Sequence, residues 1–149
     1  MPKPTGNHRR LASFVGAWTG TETCHPSPWD PRGGAAKGSF TYSMALDGFY
    51  LVSDYRQERD GLPDFLGHGV YGFDAAAGRY TMDWFDSMGG RVRAEGRWEG
   101  DALIFESRNP TTCARYVHGF EGGEYVFRLD LAPDGAAWRP MLEGRYRRA

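Results

Sequence analysis

Several polar side chains of this sequence fall on strand faces that are otherwise apolar, and these are the residues that could carry chemistry. They are Glu22, Tyr42, Ser53, Tyr55, Gln57, Tyr71, Asp86, Ser107, Tyr116 and His118. A buried polar group costs free energy unless it is hydrogen-bonded. Such a set on inward faces therefore predicts either a buried network with water or a cavity whose ligand has a polar end.

From this set and the neighbouring aromatic residues we predict a ligand-binding interior. The predicted ligand-binding residues are Glu22, Tyr42, Tyr55, Tyr71, Trp84, Asp86, Tyr116 and His118. Aromatic walls would supply apolar contact, and Glu22 or His118 would orient the ligand's polar end. The predicted partner is a small hydrophobic molecule, and no catalytic residue, metal ligand or cofactor is assigned.

Two other functions stay open at this level. An isomerase or hydrolase in the same interior would use His118 with Asp86 or Glu22 as acid and base. If the interior is packed and has no cavity, the protein would instead function by association with a partner through its outer face or through the loop PSPWDPRGG. Trp29 would then lie in an exposed apolar patch. A cavity of about 300 Å³ or more, reached from solvent, would separate ligand binding from the packed interior.

The short motifs of the chain favour structural interpretations. The stretch Gly67–Gly72 matches G-x-G-x-x-G, but a hairpin turn follows it where a nucleotide-binding motif needs a helix. We interpret its glycines as positions where the strand bends or where bulky neighbours pack across it. The four histidines have no metal-ligand spacing and no C-x-x-C pair occurs, so no zinc site is predicted.

Strands must position the candidate residues. One face of the segment after Gly38 is apolar, with Phe40, Tyr42, Met44 and Leu46, and the two-residue turn Asp47-Gly48 leads into the next strand. Similar alternation recurs along the rest of the chain, interrupted by turns such as Pro133-Asp134-Gly135. In total it predicts about ten strands.

Closing these strands on themselves would remove the exposed sheet edges, whereas a two-layer sandwich would need longer crossovers. We therefore predict an all-β fold, a single antiparallel up-and-down β-barrel of about ten strands. The predicted domain covers residues 1–149, with a lead-in at 1–13 and a Pro/Gly-rich loop at 25–37.

The net charge and the hydropathy of the chain limit which partners and which cellular compartment we expect. The formal net charge is -1, which gives no field to attract nucleic acid or an anionic membrane surface. The N-terminus lacks the apolar run of a secretory signal, and no apolar segment is long enough to span a membrane. We expect a cytoplasmic protein that binds neither nucleic acid nor membrane, and self-association into a homodimer stays open.

The chain resembles a bacterial family, domain of unknown function 1579, whose architecture is similar to the calycins, namely lipocalins and fatty-acid-binding proteins. The blocks that carry the resemblance are GAWTGTETCHPSPWDP, LDGFYLVSDYRQERDG, GHGVYGFDAAAGRYTMDWFDSMG and GRWEGDALIFES. Together with their spacing they cover nearly the whole chain. The resemblance implies a calycin-like β-barrel and leaves the ligand open, because the family has no assigned activity.

The first strand carries the more specific part of the resemblance. Gly16 and Trp18 match the Gly-x-Trp of the first calycin strand, which implies that the Trp18 indole plugs one end of the barrel. The same pattern resembles the haem-binding nitrobindin barrels. Their axial histidine lies close to the chain end, whereas this chain has no histidine after His118. The resemblance therefore does not lead us to predict haem binding.

Overall fold

The structure is a computed structural model, and it describes residues 1–28, 30–110, 112–133 and 137–149. Helix α1 (Gly6–Arg10) and a 3-10 turn (Leu11–Phe14) precede the strands. The strands are β1 (Gly16–Cys24), β2 (Gly34–Ala45), β3 (Tyr50–Arg59), β4 (Leu62–Asp74), β5 (Arg79–Asp86), β6 (Arg91–Glu99), β7 (Ala102–Arg108), β8 (Thr112–Glu121), β9 (Glu124–Pro133) and β10 (Arg139–Arg148). In the part of the chain that is described, no helix has the length and apolar character needed to cross a membrane.

The strands form one closed antiparallel sheet. Each strand pairs with its neighbours in the sequence, and β1 pairs with β10 to complete the ring. This confirms the predicted all-β, up-and-down barrel of ten strands. Closure leaves no strand with an unpaired edge, which is the physical reason for expecting a barrel from so many consecutive hairpins.

The period of two in each strand separates the interior from the solvent. On β3, Leu51, Ser53 and Tyr55 are buried, whereas the alternate residues Asp54 and Arg56 are exposed. Inward apolar and aromatic side chains such as Leu51 and Tyr55 bury large areas of apolar surface, and this burial is the main favourable contribution to folding.

The N-terminal segment closes one end of the barrel. Leu11 and Phe14 are buried in the same core cluster as Trp18, which is 2% exposed. The Trp18 indole N–H donates to the carbonyl oxygen of Phe14 at 2.9 Å, and the Arg148 guanidinium lies 4.3 Å from the centre of the Trp18 ring. Trp18 therefore lies in the closed end as a packing residue, as the resemblance implied.

One predicted boundary and one predicted side-chain orientation differ from the structure. β2 begins at Gly34, so the predicted loop at 25–37 extends too far towards the C-terminus. Leu46 was predicted to face inward, but it is 73% exposed. The reason is that Leu46 and Asp47 adopt positive φ angles of 50° and 58°, which turns the chain before Gly48. Trp29 and residues 134–136, which include most of the predicted turn at 133–135, lie outside the described residues.

Gly20 marks a close approach between β1 and β10. A Cβ atom at Gly20 would lie 1.8 Å from the Arg145 carbonyl oxygen, a backbone atom that cannot rotate away. We expect Gly20→Ala to lower the free energy of unfolding by about 3 kcal/mol, measured by urea denaturation. Gly119→Ala is the matched control, because its nearest neighbour would be 3.7 Å away. Equal denaturation midpoints for the two variants would contradict this prediction.

Candidate functional site

The barrel encloses a cavity of about 610 Å³. It extends from the middle of the barrel to the end opposite α1, where the loop after β1 contributes His25, Ser27 and Asp30 to its wall. This volume exceeds the roughly 300 Å³ at which ligand pockets usually begin. The interior is therefore not a fully packed core.

Most of the predicted ligand-binding residues line this cavity. The six that do are Tyr55, Tyr71, Trp84, Asp86, Tyr116 and His118. Glu22 and Tyr42 are also buried, but they belong to hydrogen-bond networks behind the wall. The wall also contains apolar side chains that the prediction did not include, among them Phe40, Phe65, Met82, Val92, Phe127, Leu129, Leu131, Met141 and Leu142.

Two glycines of β4 make room for cavity-wall side chains. A Cβ at Gly67 would lie 2.1 Å from the Trp84 ring, and one at Gly69 would lie 2.7 Å from the hydroxyl oxygens of Ser53 and Tyr71. This confirms the packing interpretation of the G-x-G-x-x-G match. His68, between the two glycines, faces outward, with its Nδ1 2.8 Å from Asp54 Oδ1.

Glu22 is the centre of a buried polar network beside the cavity. Its carboxylate is 2% exposed and accepts hydrogen bonds from the Tyr55 hydroxyl at 2.7 Å, from the Gln57 amide at 3.0 Å and from the Tyr146 hydroxyl. Gly38 leaves space for it, since a Cβ there would lie 2.1 Å from Glu22 Oε2. Because Tyr55 and Gln57 also line the cavity, this network fixes part of the wall.

Burial and the Glu22 carboxylate both raise the pKa values of Tyr55 and Tyr146. Burial is the larger cause that raises the pKa of Tyr55 and of Tyr146, and the negative charge of Glu22 raises both further. Both phenols therefore remain protonated and continue to donate to the carboxylate.

His118 lies in the cavity wall as a neutral imidazole. Its Nδ1 is 2.7 Å from the Tyr125 hydroxyl, which is in turn 2.7 Å from the Tyr42 hydroxyl. Burial lowers the pKa of His118 to about 3, because a charged ring would lose its hydration. Nε2, the second ring nitrogen, is buried and has no hydrogen-bond partner among the described residues.

Tyr71 and Tyr116 add phenol groups to the cavity wall. Burial raises the pKa of each to about 12, so both keep their hydroxyl hydrogen at physiological pH. Asp86 lies at the rim, where its Oδ1 accepts the backbone N–H groups of Met88 and Gly90 at 2.9 Å each. The carboxylate thereby holds the turn between β5 and β6.

Arg59 fastens the loop after β1 across the mouth of the cavity. Its guanidinium forms ion pairs with Asp30 of that loop and with Asp64 of β4, and it donates to the Gly33 carbonyl oxygen at 3.2 Å. The hydrogen bond from Arg59 is the largest cause that lowers the pKa of Asp30, so this pair stays charged. This role of Arg59 could not be predicted from the sequence, because its partner Asp30 is distant in the chain.

Among the described residues, no hydrogen bond joins His118 to Asp86 or to Glu22, the acid and base of the enzyme hypothesis. His118 uses Nδ1 for Tyr125, the Glu22 carboxylate is held by its three donors, and Asp86 holds its turn. Within the described ranges, no group of three or more His, Cys, Asp or Glu residues is arranged to hold a metal ion.

Two site residues escaped the sequence analysis although a signal for them exists. Tyr125 and Tyr146 are fully buried and bond directly to His118 and Glu22. Each follows the inward period of its own strand, β9 or β10, so alternation alone places them inside.

The fold and the site together define a ten-stranded antiparallel β-barrel with an interior cavity. Residues 3–148 match the model of the family described as "Protein of unknown function (DUF1579)", and the chain belongs to this family. No protein of curated function matches the sequence. Among solved structures, the crystal structure of Rv2717c from M. tuberculosis is similar, with a TM-score of 0.75 and 15% identity over 97% of this chain and 98% of that chain. At this identity the likeness shows the barrel fold alone.

Proposed function

We propose that this protein binds a small, largely hydrophobic molecule inside its barrel. The observation that carries the proposal is the cavity of about 610 Å³, which opens at one end and lies between aromatic and aliphatic walls. Ligand pockets in proteins commonly have this size and this mainly apolar lining.

The chemistry of the walls supports an apolar ligand. Met82, Val92 and Leu129 contribute aliphatic surface, and Trp84 and Phe127 contribute aromatic surface. Each Å² of apolar surface that a ligand buries here contributes about 25 cal/mol. Wall atoms without neighbours also lose dispersion contacts, which an occupant of the cavity would restore.

A small number of polar groups among these apolar walls would fix the orientation of the ligand. Tyr71, Tyr116 and His118 are among the inner polar groups of the wall, and Asp30, Arg59 and Asp86 lie towards the mouth. This pattern supports the predicted kinship with the calycins, together with the packing of Trp18 in the closed end. We infer a calycin-like binding protein on these grounds.

Fluorescence titration with the neutral apolar dye Nile red tests this proposal. We expect saturable binding to the wild type, and an affinity about tenfold or more lower in Val92→Trp, because the indole would fill the cavity. Val70→Trp is the matched control, since Val70 lies on the outer face of β4, two residues from the outward His68. It should bind the dye as the wild type does.

Two results would contradict ligand binding in the interior. One is the absence of saturable dye binding by the folded wild type. The other is an equal loss of affinity in Val92→Trp and Val70→Trp, which would place the dye on the outer surface.

A further inference from the structure

The side-chain amide of Gln57 has one polar atom that no described residue satisfies. Gln57 lies on the inner face of β3, is 6% exposed and lines the cavity. Its Nε2 donates to Glu22 Oε1 at 3.0 Å and to the Tyr55 hydroxyl oxygen at 3.0 Å. Within the described part of the chain, nothing donates a hydrogen bond to its Oε1. This oxygen is therefore an acceptor without a donor.

The Glu22 carboxylate fixes the orientation of the Gln57 amide. Its oxygens accept hydrogen bonds from the Tyr55 and Tyr146 hydroxyls as well as from Gln57. Because a carboxylate only accepts, the NH2 group of Gln57 must face it. An inverted amide would place two acceptor oxygens at the 3.0 Å that now separates donor and acceptor. The free atom of Gln57 is thus its oxygen.

This oxygen is open to the cavity. Four polar side-chain atoms of the described residues are both fully enclosed and without a partner, and Gln57 Oε1 is not one of them. Since Oε1 has no partner, it has accessible surface, and the space that adjoins this inward side chain is the cavity. A buried acceptor without a partner has lost its hydration for no return, so a hydrogen-bond donor of a bound molecule fits here.

The charges around the cavity favour a neutral donor. Asp30 and Asp64 in the wall are already paired with Arg59. Asp86, at the rim, accepts two backbone N–H groups. A buried ammonium group beside Gln57 would find no free counter-ion, and the cationic Arg59 follows two residues later on the same face of β3. A carboxylate ligand would have no hydrogen to donate to Oε1.

We propose that the ligand is a neutral hydroxyl compound, an apolar alcohol or phenol, whose O–H donates to Oε1 of Gln57. A hydroxyl group brings one hydrogen, which matches the one free acceptor. The apolar remainder of the ligand then contacts the aliphatic wall of β9 and β10, with Leu129, Leu131 and Leu142. This inference rests on the proposed function and assigns the chemical class of the ligand and the residue that selects it.

Displacement of Nile red by three molecules with one carbon skeleton tests this assignment at neutral pH. The molecules are octan-2-ol, octan-2-one and 2-aminooctane, which is protonated at this pH. For the wild type we expect the alcohol to bind about fivefold or more tightly than the ketone, and about tenfold or more tightly than the ammonium compound. Equal or tighter binding of the ketone or of the ammonium compound would overturn the assignment.

Gln57→Leu removes the acceptor from the cavity wall. We expect the ratio of alcohol affinity to ketone affinity to fall about fivefold, the fold-change of one net hydrogen bond. A merely structural effect of the substitution would lower both affinities and leave their ratio unchanged. An unchanged ratio would therefore overturn the role of Gln57.

Tyr116→Phe is the matched control for the Gln57 variant. It removes a hydroxyl group from the same cavity wall and should leave the ratio of alcohol to ketone affinity within about twofold of the wild type. A fall as large as that in Gln57→Leu would show that the selection does not come from Gln57.

A measurement on the wild type keeps the inference testable if Gln57→Leu does not fold. With octan-2-ol bound, we expect magnetisation transfer between the proton on its second carbon and the side-chain amide protons of Gln57. Transfer from this proton to the Tyr116 ring, with none to Gln57, would overturn the assignment. Nile red itself has no hydrogen to donate, so its binding does not depend on Gln57. A wild type that binds Nile red but fails these tests leaves the proposed function standing, whereas failure to bind Nile red overturns the proposed function itself.

Discussion

Glu22→Ala is expected to lower the free energy of unfolding by about 4 kcal/mol. The substitution removes the acceptor of three buried donors, the hydroxyls of Tyr55 and Tyr146 and the amide of Gln57, and leaves a cavity between them. Unpaired buried donors keep their full desolvation cost, and the residual cavity adds to it. Urea denaturation at neutral pH measures the loss.

Glu143→Ala is the matched control for this prediction. Glu143 lies on β10, and its carboxylate is half exposed and 2.8 Å from His25 Nε2. Exposed ion pairs contribute about 0–1 kcal/mol, so this variant should stay within that range of the wild type. If Glu22→Ala costs no more than Glu143→Ala, the buried network does not stabilise the barrel as described.

His118→Gln is expected to become the more stable protein, relative to the wild type, as the solution is acidified. Burial lowers the pKa of His118 in the folded protein from 6.5 to about 3. Below pH 6.5 the unfolded chain therefore binds a proton at His118 that the folded chain does not bind. The free energy of unfolding of the wild type decreases as the pH is lowered from 6.5 towards 3. The full difference corresponds to about 5 kcal/mol, reached as the pH approaches the folded pKa.

Unfolding free energies measured at several pH values check this prediction. The Gln side chain retains a polar partner for Tyr125 but does not titrate, so the difference between the two proteins isolates His118. His68→Gln serves as the control, because His68 lies on the outer face. Parallel pH profiles for the wild type and His118→Gln would show that His118 is not held neutral by burial.

The ring of strands could be predicted from the sequence because its cause is local. Alternation of apolar and polar residues sets the inward face of each strand, and short glycine turns join consecutive strands. Leu46 shows the limit of this reasoning. Its alternation fitted the inward face, but a positive φ at a bulky residue has no sequence signal and turned it towards solvent.

The site could be predicted only in part, because its networks join residues that are far apart in the sequence. Period two correctly places Glu22 and Tyr42 inside the barrel. It does not reveal that Tyr146, 124 residues away, donates to Glu22, or that Tyr125 joins Tyr42 to His118. Such long-range hydrogen bonds decide which inward polar residues line the cavity and which are buried behind its wall.

The central claim, that a small apolar molecule occupies the barrel interior, is tested most directly by magnetisation transfer between ligand protons and assigned methyl groups. With Nile red bound to the wild type, we expect transfer to Met82, Val92 and Leu129, which line the cavity. Val70 on the outer face of β4 should receive none. Transfer confined to outer-face methyl groups such as Val70, with none to the three cavity residues, would contradict the account.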